Sequence, residues 1–363
     1  MPDYEGLKKP FQPNGNGLVD NILRKGTPDR VYNLELFHDA EVRDAIIDHF
    51  DLEDGLNPDD PDFGRKRFLA FHRFLGFDYV YAHRVGQDWP FHNETTDDTA
   101  ELTRGRRSYR DEHAGPITNW EEFEKYPWPD PHAPEMTSEM EWWQENTPDD
   151  MCLVARGLGA FCEFLTWLMG YETLCFSLYD RRDLVKAISD RLHEYFRVCN
   201  RRMLEFDRVR ILFPSDDMGF KSGTLISPDD TREFVLPGHK MTAGMAHDAG
   251  RACILHSCGN LNEIIDDLTD DCKIDGKHSF EDTIEDVRQL KHTYGRKTAL
   301  LGGIDVDFLC RADEQAIRAR VRDTLDICQP GGGYCLGTGN SVANYIPLDN
   351  YLAMLDEGRL YGG

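Results

Sequence analysis

The sequence predicts an α/β fold, a single (β/α)8 or TIM barrel over residues 1–363. The first observation is length, because 363 residues suit one large barrel. The second is the recurrence of short apolar runs followed by longer helical patterns, which is typical of βα units around a parallel sheet. The third is composition, since 40% hydrophobic and 29% charged residues describe a globular chain with a sizeable core.

Eight apolar runs have the length and composition of barrel strands. They cover residues 31–37, 79–83, 152–156, 209–213, 253–256, 274–278, 298–301 and 334–336. Helical periodicity is clearest over residues 231–247, 262–268, 283–294 and 313–328. Helix-length connections between successive runs predict that the strands lie parallel.

Two segments lie outside this pattern. Residues 1–25 are predicted to form an N-terminal arm before the barrel. Residues 86–150 form an insertion after the second candidate strand, rich in proline, tryptophan and acidic residues. A long insertion in a barrel loop is typical of a lid or rim, and packing against the outside of the barrel is the alternative.

Charge and cysteine content limit the class of partner and the compartment. The chain has 66 acidic and 41 basic residues, a formal net charge of −25, which disfavours nucleic acid and anionic membrane surfaces. The N-terminus lacks the basic and apolar regions of a signal peptide, so we expect a cytoplasmic protein, a monomer or homodimer. Its ten cysteines are then thiols or metal ligands.

The segment around His256 and Cys258 is the first sign of a metal site. The candidate strand 253–256 ends at His256, and Cys258 follows two positions later, which places both at the C-terminal face of a barrel. Imidazole and thiolate together suit zinc. A buried cysteine beside a hydrogen-bonded histidine is the alternative interpretation of this pair alone.

Cys335 strengthens the zinc hypothesis. It lies in the last candidate strand, after the glycines at 331–333, and is predicted to face the same mouth. Two thiolates and one imidazole neutralise a zinc ion and leave its fourth position open, the usual pattern of catalytic zinc sites.

Further polar residues are placed to face the mouth of the predicted barrel. Glu35 and His38 after the first strand and Asp216 and Asp217 after the fourth are candidates for substrate binding or general acid/base catalysis, with capping or ion pairing as an equal alternative for each. Asn340 and Tyr345 after the last strand are further pocket candidates.

Several stretches of the chain resemble the uroporphyrinogen decarboxylase superfamily. They are residues 23–31, which read LRKGTPDRV, together with Asp216–Gly219, Leu225–Pro228, Leu300–Asp305 and the glycines at 331–333. The His-x-Cys pair with a distant cysteine is similar to the zinc pattern of one branch, the methyltransferases that work with corrinoid proteins. Glu281 is an additional candidate ligand on a looser resemblance to cobalamin-independent methionine synthases.

The resemblance implies a zinc-dependent methyltransferase whose methyl group moves between a small substrate and the cobalt of a corrinoid carried by a partner protein. The favoured substrate is a methoxylated aromatic, which would undergo O-demethylation. The alternative is a methylcorrinoid:thiol methyltransferase. A decarboxylase-like enzyme is disfavoured because no arginine follows the first strand until Arg43. A non-catalytic binding protein is the remaining alternative.

Overall fold

The structure is a computed structural model that describes residues 4–83, 89–111 and 113–362. Its helices are α1 (Gly15–Ile22), α2 (Ala40–His49), α3 (Phe63–Leu75), α4 (Trp120–Lys125), α5 (Ser138–Asn146), α6 (Phe161–Met169), α7 (Tyr171–Asp180), α8 (Arg182–Met203), α9 (Pro228–Phe234), α10 (Leu236–Asp248), α11 (Val287–Tyr294), α12 (Val306–Arg311), α13 (Glu314–Cys328) and α14 (Leu348–Tyr361). Its strands are β1 (Tyr79–His83), β2 (Asn93–Asp97), β3 (Arg106–Arg110), β4 (Cys152–Arg156), β5 (Val209–Phe213), β6 (Gly219–Phe220), β7 (Gly223–Thr224), β8 (Ala252–His256), β9 (Gly276–His278), β10 (Ala299–Leu301) and β11 (Tyr334–Cys335).

The predicted α/β fold is confirmed as a parallel seven-stranded sheet. The order is β1-β4-β5-β8-β9-β10-β11, and each neighbouring pair runs parallel. Seven of the eight predicted strands coincide with these strands to within two residues at each end. Consecutive strands connected by helices place all carboxyl ends at one edge of the sheet, where α/β proteins bind their ligands.

The first predicted strand, residues 31–37, forms isolated bridges to the last strand region and no ladder among the described residues. Asn33 pairs with Leu336, and His38 pairs with Val342. On its other side the segment meets β1 through side chains, because the Tyr81 hydroxyl donates to the Glu35 carbonyl. These side-chain hydrogen bonds replace backbone pairing and bring the two ends of the sheet together into a curl.

Residues 262–268 were predicted to be helical; the described chain forms turns at 262–264, is helical at 265–266 and continues as a π-helix at Asp267–Asp271. The other predicted helices correspond to α9 with α10, α11 and α13. No described helix is both long enough and apolar enough to cross a bilayer.

The segment predicted as an N-terminal arm contributes α1, which lies at the amino ends of the strands. Asn14 donates its backbone N–H to Asp78, the residue before β1, over 2.6 Å. Asn21 donates through its side chain to the Tyr334 carbonyl over 2.7 Å. Residues 1–3 of the predicted arm lie outside the described residues. The helix therefore spans the edge of the sheet opposite to the predicted site.

The insertion divides into an exposed hairpin and a packed aromatic part. Strands β2 and β3 pair antiparallel to form the hairpin. An ion pair between the Arg104 guanidinium and Asp39, 2.9 Å apart, connects the hairpin to the residue that precedes α2. Trp89 stacks on Phe91 and meets Phe164 of α6 edge-on, with ring centroids 4.8 Å apart. Packing against helices accounts for these aromatics, so a lid role for residues 86–150 stays a prediction; residues 86–88 and 112 lie outside the described residues.

Candidate active site

Two loops at the carboxyl edge of the sheet bring the central residues together. Strand β8 ends at His256, and the loop after β5 runs beside it because Ser215 bridges to His256. The backbone N–H of Asp216 donates to the His256 carbonyl over 3.0 Å. The next residue, Asp217, accepts from the backbone N–H of Cys258 over 2.9 Å. Backbone pairing thus places an imidazole, a thiol and a carboxyl group side by side.

Among the described residues, Asp217, His256 and Cys258 form a group whose donor atoms all lie within 4.8 Å of one another. The Nε2 atom of His256 is 3.3 Å from Asp217 Oδ1 and 3.4 Å from Cys258 Sγ. Bond lengths of about 2.0–2.3 Å place the ligand atoms of a tetrahedral zinc ion about 3.3–3.7 Å apart. The observed separations therefore fit three ligands of one ion, and the donor types fit zinc.

A second histidine fixes which nitrogen of His256 is available. His256 Nδ1 and His278 Nδ1 are 2.8 Å apart, so one must carry a hydrogen and the other must accept it. A metal ligand must have no hydrogen on the coordinating nitrogen, so metal binding through His256 Nε2 requires His256 Nδ1 to carry the hydrogen and donate it to His278 Nδ1.

Burial controls the electrostatics of the group. It lowers the pKa of His256 and holds that of His278 well below its usual value, so both rings are neutral at neutral pH. Burial acts to raise the pKa of Asp217, but its hydrogen bonds with His256 and with the backbone N–H of Cys258 outweigh it and bring that pKa to about 2. Burial also raises the pKa of the Cys258 thiol well above its ordinary value. A cation would be needed to stabilise its thiolate here.

Asn340 contacts this group, as the sequence predicted for a residue near the mouth. Its side-chain Nδ2 donates to Cys258 Sγ over 3.2 Å. The Asn340 carbonyl accepts from Thr338 Oγ1 over 2.6 Å, and Thr338 Oγ1 is also 2.6 Å from Glu35 Oε2. A hydroxyl has one hydrogen, so the second short contact needs a proton on Glu35. Glu35 is thereby connected to Cys258 through Thr338 and Asn340.

Glu35 itself lies inside the curled sheet and not at its mouth. The side chain is fully buried, and burial raises its pKa to about 8 despite the hydrogen bonds from Thr338. Its contacts hold the turn that carries Asn340, because Thr338 N–H also donates to Glu35 Oε1 over 3.0 Å. Glu35 therefore holds this turn through Thr338, and its role in catalysis or substrate binding stays a prediction.

Cys335 does not join the group, although the sequence predicted it as the third ligand. Its Sγ atom is fully buried and lies 3.5 Å from the side-chain nitrogen of Asn21, in the helix at the opposite edge of the sheet. In the register of the sheet Cys335 pairs with Leu301 of β10. Its side chain is directed to Asn21, whereas Asp217 lies beside His256 and Cys258.

Asp216 caps the start of α6. Its carboxylate accepts from the backbone N–H groups of Cys162 and Glu163, at the start of α6, over 3.0 and 2.9 Å. It also meets His239 Nε2 at 2.8 Å and is fully buried. The capping alternative therefore describes Asp216, and its carboxylate is not available to a substrate.

The other three candidates lie outside the metal-binding group. His38 borders a cavity, with its Nε2 atom 2.7 Å from the Tyr351 hydroxyl. Tyr345 is 55% exposed on the outer rim. Glu281 borders a separate small pocket and is not among the clustered ligand atoms. His38 remains a cavity residue, whereas the geometry does not support Glu281 as a ligand.

A cavity of about 530 Å³ opens beside the group, at the carboxyl ends of β1, β4 and β5. That volume suits a small organic molecule. Ser215 and Glu163 line the cavity and lie close to the candidate metal ligands, since Ser215 bridges to His256 and the Glu163 backbone N–H donates to Asp216, the neighbour of Asp217. Much of the wall is aromatic, with Phe37, Phe68, Phe71, Tyr81, Phe164 and Trp167.

Two residues at this edge were missed by the sequence reasoning, His278 and Arg156. Each is the last residue of a predicted strand, which is the same signal that identified His256. Arg156 is 9% exposed and borders the cavity.

Lys277 is a third residue that the sequence reasoning missed. It is buried, burial lowers its pKa to about 8, and its Nζ donates to the Ser279 carbonyl over 2.7 Å. Its charge lies in the field of Cys258.

Comparison with known proteins gives both a family and a fold. The family model described as uroporphyrinogen decarboxylase (URO-D) matches residues 112–361. A curated relative, the methylated-thiol--coenzyme M methyltransferase of Methanosarcina mazei, is 29% identical over 146 residues, which are 40% of this chain and 36% of that protein. The match therefore spans about a third of the relative's length. A solved structure, a methyltransferase from Methanosarcina mazei, covers 97% of this chain and 100% of its own, with a TM-score of 0.68 and 18% identity, which supports the fold.

Proposed function

This chain belongs to the uroporphyrinogen decarboxylase family, and we propose that it is a zinc-dependent methyltransferase that transfers a methyl group from a methoxylated aromatic compound to a corrinoid protein. The observation that carries the proposal is the group of Asp217, His256 and Cys258 beside an aromatic cavity. A neutral imidazole, a thiolate and a carboxylate balance the charge of Zn²⁺ and leave one position for a substrate. The methyltransferase relatives support the same reaction class.

Zinc held by these residues would supply a Lewis acid for the heteroatom that carries the methyl group. The residues themselves do the rest. His278 holds the ring of His256 in one tautomer, and Asn340 directs its amide hydrogen to Cys258. The aromatic wall excludes water and takes a flat ring. A partner's corrinoid in the Co(I) state would supply the nucleophile that accepts the methyl group, and the electron pair of the methyl–oxygen bond would leave with the phenolate.

A methylcorrinoid:thiol methyltransferase is the second candidate function. The observation that favours it is the printed activity of the curated relative, which concerns methylated thiols. A thiol substrate would use the same open position as thiolate. Decarboxylation of a substrate with many carboxylates is disfavoured, because among the described cavity residues the arginines are Arg43 and Arg156 only.

The zinc-loaded protein, incubated with 4-methoxybenzoate and a corrinoid in the Co(I) state, should produce 4-hydroxybenzoate and methylcorrinoid in equal amounts. Absorbance reports the cobalt state, and chromatography reports the phenol. Ring substituents of equal size but greater electron withdrawal should raise the rate, because they stabilise the departing phenolate. If methyl transfer occurs only with thiols or methylated thiols, the second candidate replaces the first.

A further inference from the structure

We propose that Arg156 selects substrates that carry an organic anion, and that the substrate is therefore a methoxylated aromatic carboxylate. The methoxy group of this substrate rests on the function proposed above. Its carboxylate is inferred from the residues that line the cavity. The inference adds a substrate class and a specificity-determining residue to the proposed reaction.

Arg156 is a buried cation without a carboxylate partner. Its Nη1 atom donates to the Leu36 carbonyl, and its guanidinium lies over the rings of Tyr81 and Phe213 at 4.9 and 5.3 Å. Within residues 4–83, 89–111 and 113–362, no acidic side chain lies within 4.0 Å of its guanidinium to form an ion pair. The aromatic faces offset part of the cost of burying this charge, and the guanidinium has further N–H groups besides the one bonded to Leu36 that a ligand on the cavity side can meet.

Two partly buried arginines of this protein show a different arrangement. Arg30 is paired with the buried Asp78, and Arg318 meets Asp356 at 2.7 Å. In both cases the chain supplies the anion that the guanidinium requires. At Arg156 the cavity occupies the corresponding place. An anion brought by a ligand would complete the same pairing.

The charge of the cavity contrasts with that of the whole chain. The protein carries a formal net charge of −25. The cavity has Arg43 and Arg156 in its wall, with Glu163 as the acidic residue among the described lining. An acidic surface with a cationic cavity favours a small anion that enters the site over anionic polymers.

The shape of the wall distinguishes between two kinds of organic anion. Both an aromatic carboxylate and a short thiol with an acidic group would satisfy Arg156. Phe164 and Trp167 of α6 stand with Phe68 and Phe71 of α3 around the cavity, which gives a planar ring apolar faces to contact. A short aliphatic thiol would leave most of that surface uncovered. The wall therefore favours the aromatic carboxylate.

The test is calorimetric titration of the zinc-loaded protein with matched ligands. The first pair is 4-methoxybenzoate and 4-methoxybenzamide, which differ in charge and little in shape. The second pair is 3-mercaptopropanoate and 3-mercaptopropanamide. Wild-type protein should bind methoxybenzoate at least ~10-fold more tightly than the amide, since a charge-assisted bidentate contact is lost with the amide. The thiol pair should bind more weakly than methoxybenzoate.

Arg156→Gln should remove the preference for methoxybenzoate and leave the affinity for the amide within about 3-fold. Arg156→Lys should keep part of the preference, because the charge remains while the planar fork is lost. Arg197→Gln is the matched control: this arginine pairs with Glu194 on α8 and borders none of the cavity. It should bind like the wild type.

Equal affinity of the wild type for the benzoate and the amide would overturn the inference, and so would a preference that survives in Arg156→Gln. If Arg156→Gln does not fold, the wild-type comparison and Arg156→Lys decide. A charge preference seen only for the thiol pair overturns the aromatic assignment. Failure of the proposed function looks different: methoxybenzoate would bind with the expected preference, yet no methylcorrinoid would form.

Discussion

Replacing Cys258 with alanine should remove most of the bound zinc and lower the rate of methyl transfer by ~10³-fold or more, because a Lewis acid contributes several kcal/mol to the transition state. Wild-type protein purified without added metal should contain about one zinc per chain by elemental analysis, the stoichiometry of a single catalytic site. Asp217→Ala should also lose metal, since Asp217 Oδ1 is 3.3 Å from His256 Nε2. Circular dichroism of each variant reports whether the fold persists.

Cys335→Ala is the discriminating control, because sequence and structure disagree about it. The ligand set predicted from the sequence requires this variant to lose zinc as Cys258→Ala does. The structure places Cys335 Sγ beside Asn21 at the other edge of the sheet, so we expect full zinc content. Retention of zinc by folded Cys258→Ala, or its loss from folded Cys335→Ala with Asp217→Ala unaffected, would contradict the ligand set of Asp217, His256 and Cys258.

Glu35→Gln should make the protein more stable than the wild type at alkaline pH. Burial raises the pKa of Glu35 from 4.5 to about 8, so the folded state holds a proton that the unfolded state has lost. The contribution of the neutral Glu35 carboxyl to the free energy of unfolding is fully present below pH 4.5 and is lost as the pH rises through 8. Glutamine mimics the neutral form, so its advantage should grow by about 3 kcal/mol between pH 5 and 8.

Denaturant unfolding at a series of pH values measures this difference. The quantity compared is the free energy of unfolding of the variant minus that of the wild type. Glu145→Gln is the matched control, because Glu145 is exposed in the folded protein, and its difference should stay flat across the same range. A flat difference for Glu35→Gln as well would show that Glu35 is charged in the folded state, against the contact pattern at Thr338 Oγ1.

Local sequence was sufficient for the strands and for the edge of the sheet that carries the site. The runs at 79–83, 152–156 and 209–213 coincide with β1, β4 and β5, since apolar pattern and strand length are local properties. His256 at the end of β8 followed from the same pattern. The segment at 31–37 shows the limit of this reasoning, because side-chain hydrogen bonds from Tyr81 and to Tyr79 take the place of its ladder to β1.

Orientation of neighbouring side chains was decided by tertiary structure. Asp216 and Asp217 are adjacent and chemically identical, yet one caps α6 and the other faces His256. The pairing of residues 214–217 with β8 determines which carboxylate points to the imidazole, and that pairing joins segments about 40 residues apart, a distance over which sequence periodicity carries no information. Arg156 likewise became informative only when its surroundings showed no acidic partner among the described residues.

By itself the sequence determined the α/β fold, the family resemblance, the pair of His256 and Cys258, and an acidic chain that disfavours nucleic acid as a partner. Tertiary structure alone showed that Asp217, and not Cys335, lies beside His256 and Cys258, and it placed a cavity with arginine and aromatic side chains beside this group. The physical reason is that strand boundaries depend on residues close in the chain. The height and direction of each side chain depend instead on the register, tilt and stagger of strands that meet across the whole sheet.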